Sequence, residues 1–183
     1  MVEQIQREAI GVVGGKILRE DGTIVAAGLV LNGKDVSAPA FANYRDDNVP
    51  YFGHHHVVGN CSAVPADCLM VRKRVFDAVG GFPEDLPLHF NDVDFCLAVR
   101  AAGHRIVWTP DAAWYHFEGK SRTRGATLDE WNRVARRWWP DGQPHDPYSN
   151  PNLTPKRDDW LELPGRSGAP PYYFDDGGTK RWA

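Results

Sequence analysis

Apolar and polar positions follow two patterns along this chain, one typical of strands and one typical of helices, separated by turns rich in Gly, Pro and Asp. Apolar, β-branched runs predict strands over residues 11–18, 23–31, 66–71 and 105–108. Apolar positions at helical spacing predict helices over residues 73–79, 92–102 and 126–139, with a short amphipathic helix over 1–8. The pattern therefore predicts an α/β fold, with a mixed sheet flanked by helices.

The helix predicted over 92–102 carries the most informative side chains. Asn91 just before it is a favourable N-cap, and Gly103 just after it is a natural C-terminal cap. Asp92 and Asp94 lie in its first turn, where the helix dipole favours negative charge. An ionised carboxylate at a helix mouth suits a general base. The spacing alone equally fits two carboxylates that only complement the helix terminus.

Histidines and aromatic residues provide further candidates. His54, His55 and His56 fall in a long polar loop, 32–58, and suggest a metal site. Neighbouring side chains point apart in an extended backbone, so a solvated loop is the favoured interpretation. Aromatic side chains can stack on a sugar ring, although a core position is the favoured interpretation for each of Trp114, Tyr115 and Trp131. Core positions are also predicted for Trp108, Trp138, Trp139, Cys68 and Cys96.

Composition narrows the class of protein. The chain has 183 residues, 42% of them hydrophobic, with a net charge of −3 and a pI near 6.1. This balance favours a folded domain and argues against nucleic acid as the main partner. No apolar run approaches the ~18 residues of a membrane-spanning helix, no signal peptide is visible, and three scattered cysteines suit a reducing cytoplasm.

Domain organisation follows from where Pro and Gly accumulate. Residues 1–140 are predicted to form one domain, and residues 141–183 a Pro- and Gly-rich extension. Arg133, Arg136 and Arg137 form a basic patch on the helix before this boundary. Such a patch is usually solvated, but it can also meet a phosphate or an acidic partner.

Several motifs, taken in their order and spacing, resemble the inverting glycosyltransferases of family 2, which have the GT-A fold. The likeness is to the branch of rhamnosyltransferase-like and polysaccharide-biosynthesis enzymes, and it runs from about residue 10 to 153. The motifs are Gly14-Gly15-Lys16-Ile17-Leu18 with Asp21-Gly22-Thr23, Val79-Gly80-Gly81-Phe82, Asn91-Asp92-Val93-Asp94-Phe95-Cys96-Leu97, Tyr115-His116-Phe117-Glu118 before Ser121-Arg122, and Asp146-Pro147-Tyr148-Ser149-Asn150-Pro151-Asn152-Leu153.

The resemblance implies a role for each matching residue. Asp92 matches the general base that deprotonates the acceptor hydroxyl. Asp94 is implied to orient the helix mouth or the acceptor. Asn91 and Trp114 are further candidates for this acceptor side. The resemblance implies that four residues lie near the donor diphosphate or its divalent cation, Mg²⁺ or Mn²⁺: His116, Lys120, Ser121 and Arg122. His116 is the residue of this group that matches a possible metal ligand.

The chain also departs from the family in two places. No nucleotide-binding half with an Asp-x-Asp metal motif precedes residue 11, so the resemblance implies a partial GT-A fold, the acceptor-side half. A complementary half or self-association is expected to cover strand 11–18, and the chain alone is expected to hold no metal. Val64-Pro65-Ala66-Asp67 replaces a small, Gly-containing turn. A glycan-binding or structural module derived from such an enzyme is the alternative to an enzyme acting on a nucleotide-sugar and a glycan acceptor.

Overall fold

The structure, a computed structural model, describes residues 1–32, 36–47, 51–117, 125–140, 142, 144–148, 172–174 and 180–182. The described helices are α1 Val2–Ile5, α2 Lys73–Ala78, α3 Asn91–Ala101 and α4 Leu128–Trp138. Short 3-10 helices occur at Tyr51–His56 and Ala66–Cys68. The described strands are β1 Ile10–Leu18, β2 Ile24–Ala26, β3 Leu29–Asn32, β4 Val36–Pro39, β5 Gly59–Cys61, β6 Leu69–Val71, β7 Arg105–Tyr115, β8 Tyr172–Phe174 and β9 Lys180–Trp182.

Strand β1 is the centre of a curled mixed sheet. It pairs in parallel with β7, from Ile10 opposite Arg105 to Leu18 opposite Tyr115. Its other side pairs antiparallel with β6 and then with β2, and β5 adds to the far side of β7. All nine residues of β1 are buried, as expected of a strand covered on both faces. The α/β prediction is confirmed, but β1 is paired on both sides, so the predicted open edge at 11–18 is wrong.

Close packing explains the glycines of β1. A Cβ added at Gly14 would lie 2.4 Å from Val64 Cγ1, and one at Gly15 would lie 2.5 Å from the Ala112 carbonyl oxygen. Neither distance is compatible with a real side chain, so the neighbouring segments approach β1 only because these positions lack a Cβ.

Two predicted strands begin or end elsewhere. The run 23–31 is broken at Gly28, which has a φ of +87°, so β2 joins the central sheet while β3 forms a separate hairpin with β4. Residues 66–71 are a 3-10 helix followed by β6 rather than one strand.

Strand β7 is longer than predicted. It continues through Pro110 to Tyr115, beyond the predicted end at residue 108, because a bulge accommodates the proline. Trp108 is opposite Gly14, whereas Ala113 is already opposite Lys16. The β7 residues between Trp108 and Ala113 bulge out of the ladder with β1, and the parallel pairing resumes after them.

The four helices lie where predicted, but their ends differ from the predicted bounds by up to three residues. The N-cap prediction for Asn91 is wrong, because Phe90 occupies the cap position in a left-handed conformation and Asn91 is already helical. The C-terminal prediction is confirmed: Gly103 has a φ of +88°, and its N–H donates to the Arg100 carbonyl at 2.9 Å. Helix α1 ends at Ile5, short of the predicted residue 8.

The core packs between the sheet and the helices. Helix α3 buries Phe95 and Val99 completely, and the core positions predicted for Trp108, Cys68 and Cys96 are confirmed. Burial raises the pKa of the Cys96 thiol to about 12. Within the described residues, none of the helices combines the length and apolar character needed to cross a membrane.

The segment predicted as a long polar loop, 32–58, is partly built into this core. It contains β4, and its side chains Val36, Ala40, Phe41 and His55 are at most 1% exposed. The solvated interpretation is therefore wrong for His55.

Asp146 connects the segment 144–148 to the body. Its buried carboxylate accepts from the Leu31 backbone N–H at 2.9 Å and from the Ser62 hydroxyl at 2.8 Å. Further on, β8 and β9 pair antiparallel. The domain boundary at 140 stays a prediction.

Candidate functional site

The 3-10 helix Ala66–Cys68 brings three of the predicted site residues together. The Ala66 backbone N–H donates to Asp92 Oδ2 at 3.3 Å, and Asp67 Oδ2 lies 3.6 Å from His116 Nδ1. The Trp114 side chain interacts with Cys68. Three consecutive residues thus connect the start of α3 to the end of β7.

Asp92 lies at the mouth of α3, as the sequence predicts for a base. Its side chain is half-buried, and besides the Ala66 contact its Oδ1 accepts from the Val93 backbone N–H at 2.8 Å. Two backbone donors therefore orient the carboxylate beside the Ala66–Cys68 helix. Asn91 precedes it as the first residue of α3 and is also half-buried.

Asp94, two residues after Asp92 on α3, lies in a different environment. It is only 5% exposed, and its Oδ1 accepts from Arg137 Nη1 and from Trp138 Nε1, both at 2.8 Å. Arg137 also donates to Asp85 Oδ2 at 2.9 Å. Burial lowers the pKa of Arg137, but the carboxylates of Asp94 and Asp85 outweigh it and raise that pKa. Asp94 therefore holds α3 against α4, and Arg137 is not simply a solvated basic residue.

The end of β7 presents a row of exposed aromatic side chains. Trp114 is 58% exposed, Tyr115 62% and Phe117 76%, so the core interpretation is wrong for Trp114 and Tyr115. Trp131 is half-buried against the core, which confirms that interpretation for it. Because successive strand residues point to opposite faces, Trp114 and Tyr115 lie on opposite sides of β7.

His116 has a buried ring nitrogen beside the site. Its backbone N–H donates to the Leu18 carbonyl at 2.8 Å, and its Nδ1 has no hydrogen-bond partner within the described part of the chain. The 3.6 Å separation from Asp67 exceeds a hydrogen bond. The other residues predicted near the donor, Lys120, Ser121 and Arg122, lie outside the described residues.

A divalent cation would find only part of its ligands here. His116 and Asp67 offer one nitrogen and one carboxylate, whereas Mg²⁺ prefers about six ligands, nearly all oxygen. A cation on the donor diphosphate would therefore need most of its ligands from the diphosphate and from residues beyond this pair.

A second polar cluster shares no residue with this site, and sequence reasoning did not assemble it. Lys16 on β1 is 3% exposed and forms an ion pair with Asp46, near which His55 is fully buried. His55 Nε2 lies 3.3 Å from the Asp46 carbonyl oxygen, and the His55 and His56 rings are in contact, with centroids 3.9 Å apart and planes tilted by 42°. Burial lowers the pKa of His55 to about 4. The sequence signal was the run of three histidines, and the solvated interpretation fails for its middle residue.

An open pocket of about 460 Å³ lies at the opposite end of α3 from Asp92. The two ends of this 11-residue helix are separated by ~15 Å. Arg100, His104 and Trp138 are among the lining side chains, and the Arg100 guanidinium lies 5.5 Å from the centre of the Tyr148 ring. The pocket is therefore separate from the residues gathered at the Ala66–Cys68 helix.

Comparison with known proteins gives two informative relatives, while no family model matches the chain. The chain is 39% identical over 168 residues to the uncharacterized protein y4gI of Sinorhizobium fredii, covering 88% of this chain and 18% of that protein. It is 34% identical over 158 residues to the O-antigen biosynthesis protein RfbC of Myxococcus xanthus, covering 84% of this chain and 12% of that protein. The chain thus spans less than a fifth of the length of either relative.

Proposed function

We propose that this chain acts in polysaccharide biosynthesis as the acceptor-side half of a family 2, GT-A glycosyltransferase. The relationship to an O-antigen biosynthesis protein supports the process. The main support for this reaction is that three side chains, of Asp92, His116 and Trp114, each interact with a residue of the Ala66–Cys68 helix. A base, a group for the donor side and an aromatic face are what sugar transfer to a hydroxyl requires.

In this proposal Asp92 is the base of an inverting displacement. Its carboxylate accepts the proton of an acceptor hydroxyl while that oxygen bonds to the anomeric carbon of a nucleotide-sugar. The bond from this carbon to the diphosphate breaks, and the nucleoside diphosphate leaves with the electron pair. The backbone donors at Ala66 and Val93 fix the carboxylate, so that its orientation precedes substrate binding.

The other residues position the substrates. Trp114, 58% exposed and interacting with Cys68 of the Ala66–Cys68 helix, offers a flat face to the C–H groups of the acceptor sugar. Asp94 keeps the start of α3 in place through α4. His116, Lys120, Ser121 and Arg122 would face the leaving diphosphate, whose charge Mg²⁺ or Mn²⁺ would help to neutralise. Most ligands of that cation and the nucleotide site are proposed to come from a complementary half, in a cytoplasmic setting.

A glycan-binding module is the second candidate. It is favoured by the exposed aromatic side chains of Trp114, Tyr115 and Phe117, each of which can stack on a sugar ring without chemistry. In that case this chain would bind a glycan whether or not a nucleotide-binding half is present.

The decisive experiment compares Asp92→Asn and Asp94→Asn in the chain combined with a nucleotide-binding half. Nucleoside diphosphate release from a nucleotide-sugar is measured with a glycan acceptor. Asp92→Asn should lower turnover by about 10²–10⁴-fold with the fold intact, because the shape stays and the base is lost. Asp94→Asn should affect stability more than turnover.

Two results would refute the enzymatic proposal. One is near-normal turnover in Asp92→Asn. The other is glycan binding by the chain, abolished by Trp114→Ala, with no release of nucleoside diphosphate in any combination. The second result would establish the binding module instead.

A further inference from the structure

Three metal-binding side chains lie together where Asp46, beside the start of β2, meets the end of the 3-10 helix Tyr51–His56. Asp46, His55 and His56 each have a ligand atom within 4.8 Å of those of the other two. His55 is fully buried, Asp46 is half-buried and His56 is exposed, so the cluster runs from the core to the surface. None of these residues takes part in the site at the Ala66–Cys68 helix.

The local backbone removes the main objection to adjacent histidines as joint ligands. In an extended chain the two rings would point to opposite sides. Here both residues end the 3-10 helix Tyr51–His56, and their rings lie 3.9 Å apart, centroid to centroid. Two imidazoles on the same side of the chain can therefore reach one ion.

His55 already has the hydrogen-bond arrangement of a metal-bound histidine. A carbonyl oxygen can only accept, so the contact of 3.3 Å between Nε2 and the Asp46 carbonyl requires the proton to be on Nε2. The other nitrogen, Nδ1, then carries a lone pair, and it is buried with no partner in the described part of the protein. Histidine ligands typically donate their second N–H to a carbonyl or carboxylate in this way.

We propose that Asp46, His55 and His56 bind a divalent transition-metal ion, with Zn²⁺ the preferred occupant. Two imidazole nitrogens and a carboxylate oxygen suit Zn²⁺, whereas Mg²⁺ and Ca²⁺ require mostly oxygen ligands. Ligand atoms of tetrahedral zinc are ~3.3 Å apart, so the cluster must contract slightly around the ion. Three protein ligands leave a fourth position for water or a substrate group.

The position of Lys16 predicts how its replacement changes metal affinity at this site. Its ammonium pairs with Asp46 Oδ1, so a metal ion must share the carboxylate with it or displace it. The lysine therefore competes with the ion, both by charge and by occupying a ligand oxygen. Replacing it with Met, of similar length, should tighten metal binding. The ion would connect Asp46, which pairs with Lys16 on β1, to the end of the 3-10 helix Tyr51–His56.

The test is titration of the chelator-treated chain with Zn²⁺, and with Co²⁺ as a spectroscopic probe whose visible absorption reports a tetrahedral site. One ion per chain is expected. Altering a residue that only orients a ligand costs about 10–100-fold in affinity, so losing a ligand in His56→Ala or Asp46→Asn should cost at least about 100-fold. His54→Ala, the matched control at the exposed neighbour outside the cluster, should bind like the wild type.

Each outcome decides the proposal. Loss of binding in His56→Ala together with retention in His54→Ala and tighter binding in Lys16→Met supports it. His56 is exposed, and circular dichroism verifies the fold of each variant. Absence of stoichiometric binding by the wild-type chain, equal losses in His54→Ala and His56→Ala, or unchanged affinity in Lys16→Met overturns it.

Discussion

Replacing Asp94 tests whether the contact between α3 and α4 is held by one buried oxygen. Asp94 Oδ1 accepts two hydrogen bonds of 2.8 Å, from Arg137 and Trp138. Hydrogen bonds to a charged group contribute about 1.5–3 kcal/mol each. Arg137 is 39% exposed and keeps its bond to Asp85, so water and that carboxylate compensate part of the loss. We expect Asp94→Ala to lower the free energy of unfolding by about 3 kcal/mol.

The matched variant Asp94→Asn separates charge from hydrogen bonding. Its amide oxygen can accept both donors in the same place, so only the charge is lost, and we expect a reduction of about 1 kcal/mol. Urea unfolding followed by tryptophan fluorescence and circular dichroism measures both values. Asp129→Ala is the control, because it breaks an exposed pair with Arg133 on α4 and should change stability by at most about 0.5 kcal/mol. The reasoning fails if Asn is as damaging as Ala, or if Asp129→Ala costs as much as Asp94→Ala.

Two further predictions concern β1 and the buried histidine. Gly14→Ala places a Cβ 2.4 Å from Val64 Cγ1 and should lower the free energy of unfolding by about 3 kcal/mol or more, as measured by denaturation. Gly22→Ala, in an open turn with φ +79°, should lower it by only about 1–2 kcal/mol, through backbone strain. Similar losses in the two variants would contradict the packing argument. His55 has a pKa lowered to about 4, chiefly by burial, with Lys16 and His56 also lowering it and Asp46 raising it. The unfolded chain therefore binds the extra proton below pH ~6.5, and stability should fall by about 2 kcal/mol between pH 7 and pH 5 in the presence of a chelator. A flat profile over that range would show that the histidine is not held neutral.

Local sequence patterns were sufficient for the elements with long, regular apolar spacing. Strand β1 and helices α2, α3 and α4 lie where predicted, because each presents a continuous apolar run or stripe that only one conformation can bury. Gly103 ends α3 as expected, since few residues other than glycine adopt its positive φ.

The predictions that were wrong depend mostly on contacts between segments that are distant in sequence. Pro110 did not end β7, because pairing with β1 resumes beyond a bulge. His55 was expected in solvent, but Lys16 and Asp46, from other parts of the chain, form the polar environment in which it is buried. For Asn91, the left-handed conformation of Phe90 shifted the cap by one residue.

The candidate site was predicted residue by residue, but not its connection. Asp92 was a candidate base from its place at the predicted helix mouth and from the resemblance to a family, and His116 from the resemblance alone. Neither spacing nor periodicity indicates that the two residues lie close together. The Ala66–Cys68 helix joins them, and its only signal was the proline-containing turn at 64–67 that departs from the family pattern. Such a link depends on tertiary pairing of β6 and β7 with β1, which no local window contains.

The parallel ladder between β1 and β7 also determines how the chain can fold. Ile10 pairs with Arg105 and Leu18 with Tyr115, so the centre of the sheet closes only after nearly a hundred intervening residues are available. Loop closure on that scale is slow, and folding is expected in roughly the millisecond-to-second range. During synthesis, the apolar strand β1 emerges from the ribosome nearly a hundred residues before its parallel partner β7. Refolding should therefore be concentration-sensitive, with aggregation through unpaired β1 as the competing reaction.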